Sequence, residues 1–199
     1  MGETIIGGRM HANHSNETRL ETERLILRPW DDFDAEELFE LAKEPEIGFW
    51  CGWEPHKHIR DSLFALHNFL EVEESYAICL KESGTLIGGI ALKFKGDTDL
   101  TDKDNECELG YWIGKPFWNH GYITEAAEEI IRHAFVDKGA SIVWVGRYEG
   151  NERSKRVQEK LGFVFHHTCN DVEVPQLNVT RIGHVSYLTK EDWLNKRKS

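Results

Sequence analysis

The sequence predicts an α+β protein, a mixed α/β layer in which helices cover a largely antiparallel sheet. Three observations carry that expectation. Two helix-period segments stand near the start, the period shifts to two after residue 73, and a strand–helix–strand–helix run precedes two closing strands. A chain of 199 residues, 40% hydrophobic and 30% charged, fits one domain whose core needs neither a disulfide framework nor a metal. A doubly wound nucleotide-binding fold is not expected, because GxGxxG and GxxxxGKS/T are both absent.

The elements follow in order. LILRPW, from Leu25, is a short strand closed by Pro29. DDFDAEELFELAKEPE, 31–46, is an amphipathic helix with Ala35, Leu38, Phe39, Leu41 and Ala42 on its buried stripe and Asp31, Asp32 and Asp34 complementing its N-terminal dipole. GFWCGWEPH, 48–56, reads as a loop, and 59–73 as a second helix with Leu63, Leu66, Phe69 and Leu70 at helical spacing. YAICLKESGTLIGGIALKF then forms two strands joined at 82–85, where Gly84 supplies positive φ. A polar excursion, 95–105, leads to the strand ECELGYWIG. A helix follows, with Ile123, Ala126, Ala127, Ile130, Ile131 and Ala134 buried and Gly139 as its stop. SIVWVGRYE is the next strand, and NERSKRVQEKLG a short helix capped by Asn151 and ended by Gly162. FVFHH and RIGHVSYL close the sheet before the basic end NKRKS. The expected organisation is a polar arm over 1–20, one domain over 21–195 and a basic end over 196–199.

Charge and composition narrow the function classes. With 35 acidic and 24 basic residues the net charge is −11, which disfavours a non-specific grip on nucleic acid or on an anionic membrane. No segment approaches the roughly 20 apolar residues of a membrane span, and the first twenty residues lack the apolar stretch of a secretory signal. Four cysteines without a CxxC suit free thiols, so the expected location is the cytoplasm. The sequence leaves open whether translation starts at Met1 or Met10.

The chemistry concentrates between residues 106 and 163. A strand opening through KPFWNHG into a helix is either a plain connector or a phosphate site, since free N–H groups and the positive dipole end meet there. NxxSxxVxEKLGF at 151–163, downstream of ELGYWIGKPFWNHGYITEA, resembles the GCN5-related N-acetyltransferase family, in particular its ribosomal-protein N-terminal acetyltransferase-like branch. TERLILRPW, GTLIGGIAL and HVSYLTKEDW resemble that branch too, so the likeness runs from Thr22 to Trp193. It implies a twisted central sheet with splayed fourth and fifth strands, and acetyl-CoA as co-substrate without a metal. The pyrophosphate would rest on Trp118, Asn119, His120, Gly121, Tyr122 and Ile123. The pantetheine arm would pair with backbone near Tyr111, Trp112 and Ile113, where an N–H would stabilise the developing oxyanion. Asn151 resembles the residue that bonds the pantetheine, and Ser154 the hydroxyl near the sulfur; as plain structure they are an N-cap and a first-turn serine. Three positions depart from the family's pattern: Asn119 and Ile123 stand where small residues are usual, and Gln158 where some relatives carry a tyrosine acting as general acid.

Glu106 and Glu108, two apart on one strand, share a face. Glu108, two residues before Gly110-Tyr111, is the candidate base acting through water, and Glu106 could face the acceptor; each also reads as a solvent-facing carboxylate. Trp50 and Trp53, beside Phe49, are read either as walls of the acceptor site or as core. Cys51, His56 and His58 lack common zinc spacing, and no GxSxG elbow supports a covalent triad. Residues 31–54 carry nine acidic side chains and one basic, Lys43, hence a local charge of −8 that is either a solvated face or an attraction for a cationic acceptor. The expected activity is acetyl transfer to a primary amine by direct attack, the acceptor being a protein or peptide N-terminal α-amine, such as that of a ribosomal protein. The alternatives are a polyamine or aminoglycoside acetyltransferase, or a catalytically weak acyl-CoA-binding module. Oligomeric state is left open.

Overall fold

The computed structural model describes residues 18–197. The arm expected over 1–20 therefore lies almost wholly outside the described residues, as do the last two residues of the basic end. Eight strands form one sheet: β1 (Leu20–Glu21), β2 (Leu25–Arg28), β3 (Ser75–Leu80), β4 (Leu86–Lys93), β5 (Glu106–Ile113), β6 (Ile142–Tyr148), β7 (Val164–Val174) and β8 (Val179–Thr189). Their order is β1-β2-β3-β4-β5-β6-β8-β7. Every pairing is antiparallel except β5 with β6, which meet in parallel after the crossover through α4 (Tyr122–Arg132). This is the mostly antiparallel α+β layer that the sequence predicts.

Period-two alternation along β5 divides the core between the two faces of the sheet. Cys107 and Leu109 join the layer under α4, whose Ile123, Ala126, Ala127, Ile130 and Ile131 are buried there. Burying each such isoleucine contributes about 1.5–3 kcal/mol. Trp112 points the other way, beneath α1 (Ala35–Ala42), where it stacks on Trp30 at 6.3 Å and meets Trp53 edge-on at 5.6 Å. These indoles close over Gly89, where a Cβ would stand 2.7 Å from both Trp112 and Trp30. Only glycine leaves that space.

The structure departs from expectation at three places. Residues 45–51 form a helix, α2 (Pro45–Cys51), where the loop was expected to begin: Pro45 occupies its first turn and the Glu44 side chain accepts from the Glu46 N–H. A proline that ends one helix pattern is here the start of the next. The helix expected at 59–73 is α3 (Ile59–Ala65) followed by a π turn, Leu66–Leu70. After α5 (Glu152–Leu161), β7 and β8 run eleven residues each, far beyond FVFHH and RIGHVSYL, and turn at Asn178 with φ of 50°. Strand β7 is the sheet edge and nearly all exposed, so ladder bonds to β8 hold it where no apolar alternation signals it. The basic end begins as α6 (Lys190–Lys196), with the Thr189 hydroxyl capping the Asp192 N–H.

Candidate active site

The parallel contact between β5 and β6 is brief. Glu106, Cys107 and Glu108 face Ile142, Val143 and Trp144, and beyond them the strands part. The gap opens into a cleft of about 980 Å³. Along β5 the ladder alternates: Gly114 N–H bonds Ile87 O on the β4 side, so the backbone groups of Leu109, Tyr111 and Ile113 face the gap. Ile113 O takes the Trp118 indole N–H at 2.9 Å, which fixes Trp118 at the gap's edge.

The start of α4 lies in this cleft. Gly121 has φ of 81° and Asn119 φ of 63°, and no side chain caps the helix. Asparagine tolerates that left-handed backbone better than most residues, so the turn forms without the usual glycine at 119. The first-turn amides and the dipole are thus left for an anion, the arrangement a pyrophosphate fits. Ile123 turns into the core, 7% exposed, and does not crowd the helix start. The Cβ of a residue at 121 would meet nothing nearer than Arg24, at 3.6 Å. Arg24 braces the turn by donating to His120 O at 3.2 Å, pairing with Glu125 and lying 4.6 Å over the Tyr122 ring. The His120 ring stacks on Tyr122 and does not line the cleft.

Helix α5, which packs beside α4, carries Ser154 into the cleft lining. Asn151 Oδ1 accepts from the Ser154 N–H at 3.1 Å, so the cap fixes the first turn. The Ser154 hydroxyl lies 2.9 Å from Tyr111 Oη and 3.2 Å from Gln158 Nε2. Burial pushes the Tyr111 phenol upward in pKa. Tyr111, expected only as a backbone contributor, thereby brings its hydroxyl next to Gln158. Arg153, Arg156 and Lys160 also line the cleft from α5, and Arg153 lies 3.7 Å over the Trp118 ring.

Glu108 faces the cleft. It accepts from Thr98 Oγ1 with one oxygen and from Lys93 Nζ, at 3.3 Å, with the other. Glu106 shares its sheet face but stands two residues nearer the closed end, 2% exposed and outside the cleft lining. There it accepts from Thr101 at 2.7 Å, Lys103 at 2.9 Å and the Trp144 indole at 2.6 Å. Burial alone would raise its carboxyl; these donors outweigh burial and hold it below the ordinary range.

Trp50 and Trp53 both line the cleft. Trp53 also packs on Trp112, whereas Trp50 packs edge-on to Phe49 at 4.9 Å. The nine carboxylates of 31–54 do not line it, and several are tied elsewhere: Asp34 to Arg28, Glu40 to Lys43, Glu44 to Lys115 and Glu46 to Arg153. The acids that do line it are Glu73, Asp97, Asp99 and Glu108. Asp97 and Asp99 come from the polar excursion, where a run of aspartates beside a glutamate-bearing strand was the overlooked signal. Of the residues weighed for metal, the His56 ring binds Ser62 at 2.8 Å, and burial pushes the Cys51 thiol up to about 12.

No helix among the described residues is long and apolar enough to cross a membrane. A model of the acetyltransferase (GNAT) domain matches residues 24–164. The chain is 29% identical over 149 residues to the uncharacterized N-acetyltransferase YoaA of Bacillus subtilis, covering 72% of this chain and 81% of that one. It is 28% identical over 155 residues to YdaF of the same organism, provisionally named a ribosomal N-acetyltransferase, covering 71% and 79%. Its fold is similar to a structure from Vibrio cholerae described, also provisionally, as a ribosomal-protein-serine acetyltransferase, with TM-score 0.71, 20% identity and coverage of 86% and 97%. With the parted strands and the uncapped helix start in one cleft, these matches establish that the chain belongs to the GCN5-related N-acetyltransferase family and is an acetyl-CoA-dependent acetyltransferase.

Proposed function

We propose that this enzyme acetylates the N-terminal α-amine of a protein or peptide, ribosomal proteins being the first candidates, and that it works in the cytoplasm. The observation that carries the reading is the arrangement of one cleft. Trp118, Asn119, Gly121, Tyr122 and Ile123 line it together with β5, Glu108 and Ser154, and with Trp50, Asp97 and Asp99. The names of YdaF and of the Vibrio cholerae protein support a protein acceptor. A cleft lined by Glu73, Asp97, Asp99 and Glu108 supports an acceptor that arrives as a cation.

In this reading acetyl-CoA lies along the β5 edge with its pyrophosphate on the α4 amides and its pantetheine at Asn151, and the backbone N–H of Tyr111 or Ile113 stabilises the oxyanion, that of Trp112 facing β4 instead. An α-amine of pKa near 8 is about one-tenth neutral at pH 7, so a weak base suffices. Glu108 takes the amine's surplus proton through water while the C–N bond forms. The C–S bond then breaks with its electron pair moving to sulfur, and the Ser154 hydroxyl serves the leaving thiolate. Attack is direct, with no metal in the step and no covalent enzyme intermediate.

A thiol-release assay over an amine panel tests the reading: peptides beginning with Ala, Ser or Met, a polyamine and an aminoglycoside. The expected result is turnover of peptides above the small amines. Preference for the polyamine or aminoglycoside would overturn the acceptor assignment, and acetyl-CoA binding without any thiol release would favour a weak acyl-CoA-binding module.

A further inference from the structure

The Ser154 hydroxyl has one hydrogen to give and two lone pairs to receive. Gln158 Nε2, 3.2 Å away, fills one lone pair. The orientation of that amide is set by Gly146 O, which accepts from the same nitrogen at 3.5 Å, so a donor and not an acceptor faces Ser154. Tyr111 Oη lies 2.9 Å from Ser154 Oγ and 3.4 Å from the Ser154 carbonyl, with the Gln158 amide also in reach. Either hydroxyl can donate across the shorter contact, and the arrangement taken below gives it the phenolic hydrogen. Burial raises the Tyr111 pKa, so the phenol stays a donor through neutral pH. With both lone pairs filled from behind, the serine's own O–H is left to point into the cleft.

We infer that Tyr111 and Gln158 are positioning residues that polarise Ser154, holding its hydroxyl as a donor toward the sulfur that leaves. The inference rests on the role given to Ser154 above and extends it to the side chains of Tyr111 and Gln158. The balance of the step is simple. The amine forms the C–N bond, the C–S bond breaks with its electron pair going to sulfur, and the Ser154 O–H bonds the thiolate as charge develops. The proton lost by the amine leaves through Glu108 and water, so acetylated amine, thiolate and one proton are the products. Gln158 cannot lose a proton, and in this arrangement it does not need to.

The test is a double-mutant cycle with Tyr111→Phe, Gln158→Leu and Ser154→Ala, read as kcat with whichever amine of the panel gives thiol release. The affinity of acetyl-CoA and the thiol pKa of bound CoA, from its thiolate absorbance, are measured alongside. Removing one aimed donor to a developing anion costs about 10²–10³-fold in kcat, and indirect loss of its orientation should cost about 10-fold. Each single variant should slow kcat and raise the bound thiol's pKa while acetyl-CoA affinity stays unchanged. The doubles that include Ser154→Ala should be no slower than Ser154→Ala alone. Wild-type kcat in Tyr111→Phe would overturn the inference, because it means that Ser154 donates to Tyr111 and not the reverse. Multiplying losses in the doubles would overturn it too, as the mark of independent structural damage. A Ser154→Ala enzyme with full turnover and an unshifted thiol pKa would instead remove the role of Ser154 itself. Should Gln158→Leu fail to fold, the isosteric Tyr111→Phe cycle decides alone, and the thiol titration needs no acceptor.

Discussion

The two ends of the cleft are built differently. The end assigned to acetyl-CoA is made mostly of backbone, the β5 edge left bare where β6 departs and the uncapped start of α4, with Asn151 and Ser154 beside it. The end assigned to the amine is made of side chains borrowed from the loop after β4, the turn after α3, and α2: Asp97, Asp99, Glu73 and Trp50. A backbone site depends on strand and helix geometry, which many sequences satisfy. A side-chain site can change one residue at a time without disturbing the fold. Under this assignment, acetyl transfer depends on the scaffold, while the choice of acceptor depends on individual side chains around it.

The largest effect should come from the backbone end. Gly121→Glu places a negative charge at the helix start and a side chain at φ of 81°, and calorimetry should find acetyl-CoA binding abolished from a micromolar-scale affinity, roughly −8 kcal/mol. Gly121→Ala, which adds strain but no charge, should weaken binding less; equal losses would mean that strain, not the anion site, explains the result. Next comes Glu108→Gln. Loss of a general base costs about 10²–10⁴ in rate. The deficit in kcat should be greatest at low pH, where the amine is most protonated, and full turnover across pH 6–9 (a range about the α-amine's pKa of ~8) would remove Glu108 from the mechanism.

The side-chain end should show smaller and more selective losses. Trp50→Ala should raise KM for the amine about 10-fold with little change for acetyl-CoA, since its partner Phe49 is half exposed. Trp53→Ala should lower Tm as well, because its ring packs on Trp112; losses divided equally between the substrates would make both rings simple packing. Stability should also depend on pH through the polar pair beside Glu73. Burial alone would raise Glu74, but hydrogen bonds from His133, Lys138 and Tyr76 outweigh it and hold the carboxyl at about 2. The bond to Glu74 raises His133. The His133 contribution is complete below its unfolded pKa of about 6.5 and fades as pH rises through its higher folded value; that of Glu74 is complete above about 4.3 and fades as pH falls toward 2. Tm should therefore peak between the two unfolded values, and His133→Gln should flatten the alkaline side. Smallest is salt: if Asp97 and Asp99 steer a cation, kcat/KM should fall about two- to three-fold toward physiological ionic strength, and no change would make them solvated surface.

The same division explains what could be read in the sequence. Asn151, Gly121 and the apolar faces of β5 and α4 were legible because each obeys a local rule of cap, turn or period. Glu106 was misplaced among the acceptor-facing residues by a rule that was itself correct: it does share a face with Glu108, but only the point where β6 departs decides which of the two meets the cleft. Tyr111 was seen as backbone alone because its hydroxyl meets Ser154 from 43 residues away. The acidity of 31–54 drew attention from Asp97 and Asp99, since charge counted along the chain ignores ion pairing such as that of Glu46 with Arg153. No periodic signal marks α2, whose start depends on one proline after Glu44.

The closed group of indoles over Gly89 also gives the enzyme an optical voice. Trp30 and Trp53 are each in ring contact with Trp112, and the N–H groups of Trp30 and Trp53 have no hydrogen-bond partner among the described residues. Indoles so shielded emit toward the blue and exchange excitation, so light absorbed by one is shared by the three. All three line the cleft, so an occupant needs no label to announce itself. The glow of the apo enzyme should change in colour and polarisation as the cleft fills.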